Sequence, residues 1–139
     1  MARFRFRLQR VLDLREGEEA QAKREFLRRR AIRLEAEAQI ETMQAQLAAA
    51  LRRPAESLDQ MIQREAERMR REDGIRQARV AVTILENEEL AAERNWRQAR
   101  QAAEGFRMLR DRAKTEWTKL MEKREQDELD EWAVTRRAA

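Results

Sequence analysis

An apolar seam with a period of three and a half residues runs through the second half of this chain for six heptads. Stepping four and then three residues from Ala78 gives Val82, Leu85, Glu89, Ala92, Trp96, Ala99, Ala103, Phe106, Arg110, Ala113, Trp117 and Leu120. Eleven of these thirteen positions are apolar. That period keeps one line of side chains turned toward a partner helix, so the stretch predicts a coiled-coil helix and excludes a strand. The residues between are mostly Arg, Glu, Gln, Lys and Asp, which suit the solvated face. Glu89 and Arg110 interrupt the seam. They either sit at its edge and snorkel to water or fix register against a polar partner. Trp96 and Trp117 are bulky beside Ala92, Ala99 and Ala113, and read as core or as local openings of the coil.

The rest of the chain obeys the same constraint. Its 139 residues hold only three Gly and one Pro, so few breaks are available and the elements must be long. Ala, Glu, Arg, Leu and Gln dominate, all strong helix formers. From about Phe4 to Arg53, Phe4, Leu8, Val11 and Leu12 recur at helical spacing. Two stripes follow on opposite sides of one helix: Leu27, Ala31, Leu34 and Ala38, then Ile32, Ala36, Ile40, Met43 and Leu47. Such a helix touches two neighbours or drifts around one. Gly17 weakens it by about 1 kcal/mol relative to Ala.

Arg52-Arg53-Pro54-Ala55-Glu56-Ser57 is the clearest break, because Pro54 lacks a donor and disfavours helix at Arg53. Ser57 with Gln60 three residues on reads as a capping box opening a second helix. Leu58, Met61, Ile62, Glu65 and Met69 continue it. Asp73-Gly74 reads as a weaker break, a C-cap or kink at which the seam changes phase.

The predicted fold is all-α: a long antiparallel two-helix coiled-coil hairpin with a short extra helix near the bend. The chain is expected to form a single elongated unit over residues 1–139. Its parts are a helix over 3–52, a bend with a short helix over 54–74, a long helix over 75–133 and a short tail over 134–139. A long parallel dimer with a minor kink at Pro54 is the alternative architecture.

Charge is blocked along the chain. Residues 1–34 carry +6, 82–93 carry −4, 94–124 carry +6 and 125–139 carry −3. On helices such runs are ordinarily solvated faces. With no Cys and no His there is no thiol nucleophile, imidazole base or usual zinc site. Carboxylates abound, but a two-helix coil offers no pocket to shift their pKa values. No Gly-rich phosphate cradle is present. No catalytic, cofactor-binding or metal-binding residue is therefore expected, and the chain reads as a non-enzyme. The longest apolar run, Val80–Leu85, is far short of the roughly 20 residues that span a bilayer. The basic start leads into no apolar signal segment, which points to a cytoplasmic protein. Arg28-Arg29-Arg30 and Arg68, Arg70 and Arg71 suggest phosphate contacts. Interleaved carboxylates at i±3 and i±4 argue against nucleic acid as the partner.

Both termini carry a more specific signal. The opening Phe4-Arg5-Phe6-Arg7-Leu8-Gln9-Arg10-Val11-Leu12-Asp13-Leu14-Arg15-Glu16, with Glu18-Glu19, resembles the start of the flagellar FliJ family, in which many members begin F-x-F/L-x-L-x-x-V-L-x-L-R-E-x-x-E. The end, Lys123-Arg124-Glu125-Gln126-Asp127-Glu128-Leu129-Asp130-Glu131, is similar to the family's R/K-x-E-x-K/D-E-L-D-E. Gly17 departs from the family, which more often has a helix former there. The resemblance implies an antiparallel hairpin similar to the central stalk of rotary ATPases, without enzyme activity. It implies work in the flagellar type III export apparatus, in the cytoplasm and peripherally at the inner face of the membrane. The implied partners are the hexameric export ATPase, the membrane export gate and export chaperones, and the isolated chain is expected to be monomeric. Phe4, Phe6, Leu8, Val11, Leu12, Leu14 and Arg15, with Glu125, Leu129, Asp130 and Trp132, are the residues expected at the end that engages the ATPase ring. The competing expectation is that their apolar members only close the coil. A generic coiled-coil adaptor or secretion chaperone, including the stalk of a virulence secretion system, stays open as an alternative, as does a basic helical nucleic-acid binder.

Overall fold

The structure, a computed structural model, describes residues 2–138. Among them lie two helices and no strand: α1 spans Gln9–Arg52 and α2 spans Leu58–Ala138. The fold is an all-α helical hairpin. The chain divides into two compact units, one formed by the residues up to Ala20 with those from Arg97 on, the other by Gln21–Trp96.

The Gln21–Trp96 unit contains the bend. Ser57 closes the start of α2, its hydroxyl accepting the Gln60 N–H at 3.2 Å. The Gln60 side chain reaches back to the Glu56 N–H at 2.7 Å, so two orphan donors are satisfied reciprocally. At the other side of the turn the Arg53 N–H donates to the Ala50 carbonyl, and the Arg64 guanidinium donates to the Leu51 carbonyl. These contacts confine the bend to residues 53–57, much shorter than the 54–74 expected.

No separate short helix exists. α2 passes through Asp73-Gly74 without a break, and Gly74 has an ordinary helical φ. The reason is packing: a Cβ at Gly74 would stand 3.3 Å from the Met43 methyl, so the glycine admits a close approach of α1. Beside it Ile75 is buried with Ile40 and Val82, and Ala36, Met43, Leu47 and Ala78 pack on that cluster. Burial of this cluster outweighs the roughly 1 kcal/mol that a helical glycine forfeits.

The seam keeps its phase through this point. On α2 the less exposed positions run Arg64, Arg68, Arg71, Ile75, Ala78, Val82, Leu85, Glu89, Ala92 and Trp96, in steps of four and three. The apolar positions expected to continue the second helix point elsewhere: Leu58, Met61, Ile62 and Met69 are all more than half exposed, and Glu65 is exposed with them. On α1 the facing line is Ala22, Phe26, Arg29, Arg33, Ala36, Ile40, Met43, Leu47 and Ala50. Of the two stripes read on this helix, the one through Ile40 faces α2, whereas Leu27, Ala31, Leu34 and Ala38 are exposed. Phe26 stacks on Trp96 at 5.5 Å between centroids, which fixes the antiparallel register of this unit.

In the other unit the line continues as Leu8, Leu12, Arg15 and Glu19 on α1 against Ala99, Ala103, Phe106, Arg110, Ala113 and Trp117 on α2. Leu12 and Ala103 are fully buried. Helix α1 begins at Gln9, six residues later than the start expected at residue 3. Residues 2–6 are not helical, and their burial alternates: Phe4 and Phe6 are half-buried while Arg3, Arg5 and Arg7 are exposed. That period of two places both phenyl rings on one side, which a helix would splay apart. Phe4 packs its ring on Trp117 at 5.9 Å. The Gln9 N–H then returns to the Phe6 carbonyl at 3.2 Å and starts the helix.

Beyond this point α2 continues alone. Every described residue from Glu122 on is exposed, and the helix extends to Ala138, past the expected end at 133. The position expected as the end of the tail, Ala139, lies outside the described residues.

Candidate partner-docking surface

The residues singled out at the N-terminus fall into two groups that sequence spacing did not separate. Leu12 is fully buried, and Phe4, Phe6, Leu8 and Val11 are half-buried, so these close the coil. Leu14 is 61% exposed. Arg15 lies half-buried in the seam and reaches Glu18 at 3.2 Å. Across the unit, Arg107 of α2 bridges Glu19 at 2.8 Å and Glu16 at 3.3 Å, so three charges tie the first turns of α1 to α2. The hydrogen bond to Glu19, more than that to Glu16, raises the Arg107 pKa above its ordinary value.

Around the non-helical segment opens a cleft of about 720 Å³. Phe4, Phe6 and Gln9 line it together with Arg5, Arg7, Arg10, Arg110, Lys114 and a single acid, Asp111. Arg110 belongs to the seam line but turns to this opening, with Asp111 at 3.7 Å as its carboxylate neighbour. The snorkelling expected of it therefore describes its position.

Glu89 behaves otherwise. It is only 13% exposed and pairs across the seam with Arg33, whose second nitrogen lies 3.3 Å from its other oxygen. Arg33 also holds Glu37 at 3.1 Å, and next to it Arg29 joins Glu25 at 2.9 Å and Glu88 at 2.6 Å. The hydrogen bonds to Glu89 and Glu37 push the Arg33 pKa up. Arg28 and Arg29 hold the Glu25 carboxyl down at about 2. Sequence reasoning missed this interhelical network because Arg29 and Arg33 break the apolar pattern of α1. The signal was a charge complement: two arginines on the α1 period matched by Glu88-Glu89 on that of α2. The other basic clusters are likewise paired along the helix, Arg28 with Glu25, Arg68 with Glu65 and Glu72, and Arg71 with Glu67.

Of the seam residues named from the sequence, Val82, Ala92 and Ala103 are buried. Ala78, Leu85, Trp96, Ala99, Phe106, Ala113 and Trp117 are half-buried, while Leu120 is 48% exposed. Leu120 marks where α1 stops covering α2. The C-terminal candidates lie beyond it: Glu125 and Asp130 are exposed, Leu129 is 61% exposed and Trp132 59%. Trp132 carries the Arg136 guanidinium over its ring at 4.8 Å, and Gln126 donates to Asp130 at 3.1 Å. The two terminal motifs are therefore not brought into contact. The N-terminal one packs at the level of Trp117, and the C-terminal one projects past it on bare helix.

Among the described residues no cluster of acidic side chains is arranged to hold a metal ion, and no helix is long and apolar enough to cross a membrane. What the surface offers is exposed apolar side chains and a cationic cleft on a coiled-coil hairpin. The sequence profile described as "Flagellar FliJ protein" matches residues 4–138, and the chain belongs to the FliJ family. It is thereby a component of flagellar type III protein export. Comparison with curated proteins and with solved structures finds no match in either set.

Proposed function

We propose that this chain is a non-enzymatic coiled-coil element that binds the hexameric export ATPase as a central stalk does, and links it to the export gate and to export chaperones while itself lying peripherally at the membrane. One observation carries the reading: within each terminal motif some apolar side chains are not consumed by packing. Leu14 at one motif, and Leu129 and Trp132 at the other, are each about three-fifths exposed. A lone exposed leucine is unremarkable, but here Leu14 and Leu129 fall in the short segments that resemble the family's termini, and Trp132 follows directly after the second.

The rest of the surface suits a part that must not lock in one orientation. Its ion pairs are mostly exposed i,i+3 and i,i+4 pairs, such as Arg100–Glu104 and Arg76–Asp73, each worth roughly 0–1 kcal/mol. Many weak contacts permit sliding where one deep anchor would not. The outward stripe of Leu58, Met61, Ile62 and Met69 at the start of α2 supplies a second surface, suited to the gate or a chaperone. The test is a pull-down of the export ATPase with the full chain and with a chain truncated after Lys123. Loss of capture supports a ring contact at the C-terminal motif; undiminished capture removes that contact from the proposal.

A further inference from the structure

We propose that the projecting end of α2 docks into the cationic cleft of a second copy of this chain, giving a reciprocal dimer that salt dissolves. Two features of one unit complement each other. The cleft presents Arg5, Arg7, Arg10, Arg110 and Lys114 against one acid, over an apolar floor of Phe4 and Phe6. Residues 125–131 carry five carboxylates and no cation, and every one of these positions is exposed.

The fit extends to side-chain order. On a helix Glu125, Glu128, Leu129 and Trp132 share one face, by spacings of three, four and seven. That face offers two carboxylates followed by two apolar groups, as the cleft offers cations around two phenyl rings. Within one molecule the contact is out of reach. α2 is continuous from Lys114 to the acidic segment, and a straight helix carries that segment on the order of 15 Å or more beyond the cleft. A second copy meets no such obstacle. If two α2 helices lie antiparallel about a two-fold axis near Leu120, the region of Arg110–Lys114 of each faces the acidic segment of the other. Both contacts then form at once, which closes the assembly as an isologous pair. A nucleic acid is the poorer occupant. The cleft holds an acid of its own and an aromatic floor, and elsewhere Arg28, Arg29, Arg68 and Arg71 are paired with carboxylates.

The experiment is sedimentation equilibrium of the full chain over a concentration series, at about 50 mM and about 500 mM salt, where the Debye length falls several-fold. Three proteins are compared: the wild type, a cleft variant with Arg5→Glu, Arg110→Glu and Lys114→Glu, and a tail variant with Glu125→Lys, Asp127→Lys and Glu128→Lys. Circular dichroism checks that each remains helical. The wild type should dimerise in low salt, with a dissociation constant rising at least about tenfold in high salt. Each variant alone should stay monomeric, since cleft and tail then carry like charge. An equimolar mixture of the two variants should form a heterodimer, because the altered cleft meets the altered tail with signs exchanged while the other contact pairs an unaltered cleft with an unaltered tail. A wild type that is monomeric in low salt overturns the proposal. So does self-association that survives in either variant, which would place the contact on another surface such as the outward stripe. The dimer would cover Leu129 and Trp132, so ATPase capture is measured separately at high salt, where the chain is monomeric and the two proposals fail independently.

Discussion

Leu12 and Leu14 lie two residues apart in the same motif, and the structure buries the first and exposes the second. Replacing Leu12 by Ala removes three carbons from a fully buried side chain. At about 0.8 kcal/mol per buried carbon the transfer loss is roughly 2.4 kcal/mol, and a residual cavity adds to it. A two-helix unit is free to close partly over the gap, so the total should be about 3 kcal/mol. Leu14→Ala removes the same atoms from a side chain that is 61% exposed, and Ala is an equally good helix former. Its effect should stay within about 0.5 kcal/mol. Urea unfolding followed by far-UV circular dichroism reads the contrast. The Leu12→Ala midpoint should fall by on the order of 1–2 M and the Leu14→Ala midpoint should hardly move. Binding should sort the other way, with Leu14→Ala weakening capture of the export ATPase in a fully folded protein. Comparable destabilisation by both substitutions would refute the assignment of Leu12 to the interior and Leu14 to the partner surface.

Further outcomes follow from particular contacts. Gly17→Ala and Gly105→Ala should each stabilise the helix by about 0.5–1 kcal/mol in thermal unfolding, because an added Cβ meets nothing within 4 Å and neither glycine has a positive φ. Glu25 has a folded pKa near 2, below its unfolded value of 4.5, so its contribution is present above pH 4.5 and fades as pH falls toward 2. The stability difference between wild type and Glu25→Gln should shrink over that window, and a carboxyl titration followed by NMR should place Glu25 well below its ordinary value. Removing residues 123–139 should leave the urea midpoint unchanged, and amides from Glu122 on should exchange faster than those near Leu12, since every described side chain there is exposed.

The seam from Ala78 to Trp117 was legible because apolar residues hold all its positions but Glu89 and Arg110, and tertiary packing follows the same line. The corresponding line on α1 was hidden. Arg15, Glu19, Arg29 and Arg33 occupy four of its positions, and an apolar criterion jumps over them to the outward stripe of Leu27 and Leu34. The phase error near Asp73 has the same origin, since Arg64, Arg68 and Arg71 face α1 while Leu58, Ile62 and Met69 face out. Arginine stems bury apolar length while their heads reach carboxylates, so a periodicity read by residue class places them on the wrong side. The glycine at 74 is equally ambiguous by itself. It marks a stop in isolation, and a close approach once Met43 is opposite. At the N-terminus Phe4 and Phe6 fit neither helix face, and their spacing of two was the available sign of a non-helical start. The extent of α2 beyond α1 is a matter of relative length: once Gln9 begins one helix and residues 53–57 form the turn, the longer helix has no more partner. Of the terminal motifs, the residue types were readable from the sequence, but which side chains stay exposed was visible only after packing.

The most direct test of the hairpin is a spin-label distance between Gln9 and Lys114, two exposed positions that line the same cleft. The chain has no cysteine, so labels at Gln9→Cys and Lys114→Cys report on these sites alone. In samples diluted with unlabelled protein, the antiparallel arrangement gives a short separation, on the order of 20 Å with label arms included. An unfolded-back chain of continuous helix would put the same positions well over 100 Å apart at 1.5 Å per residue. Absence of the short distance within single molecules would contradict the fold, and with it the proposed stalk-like role.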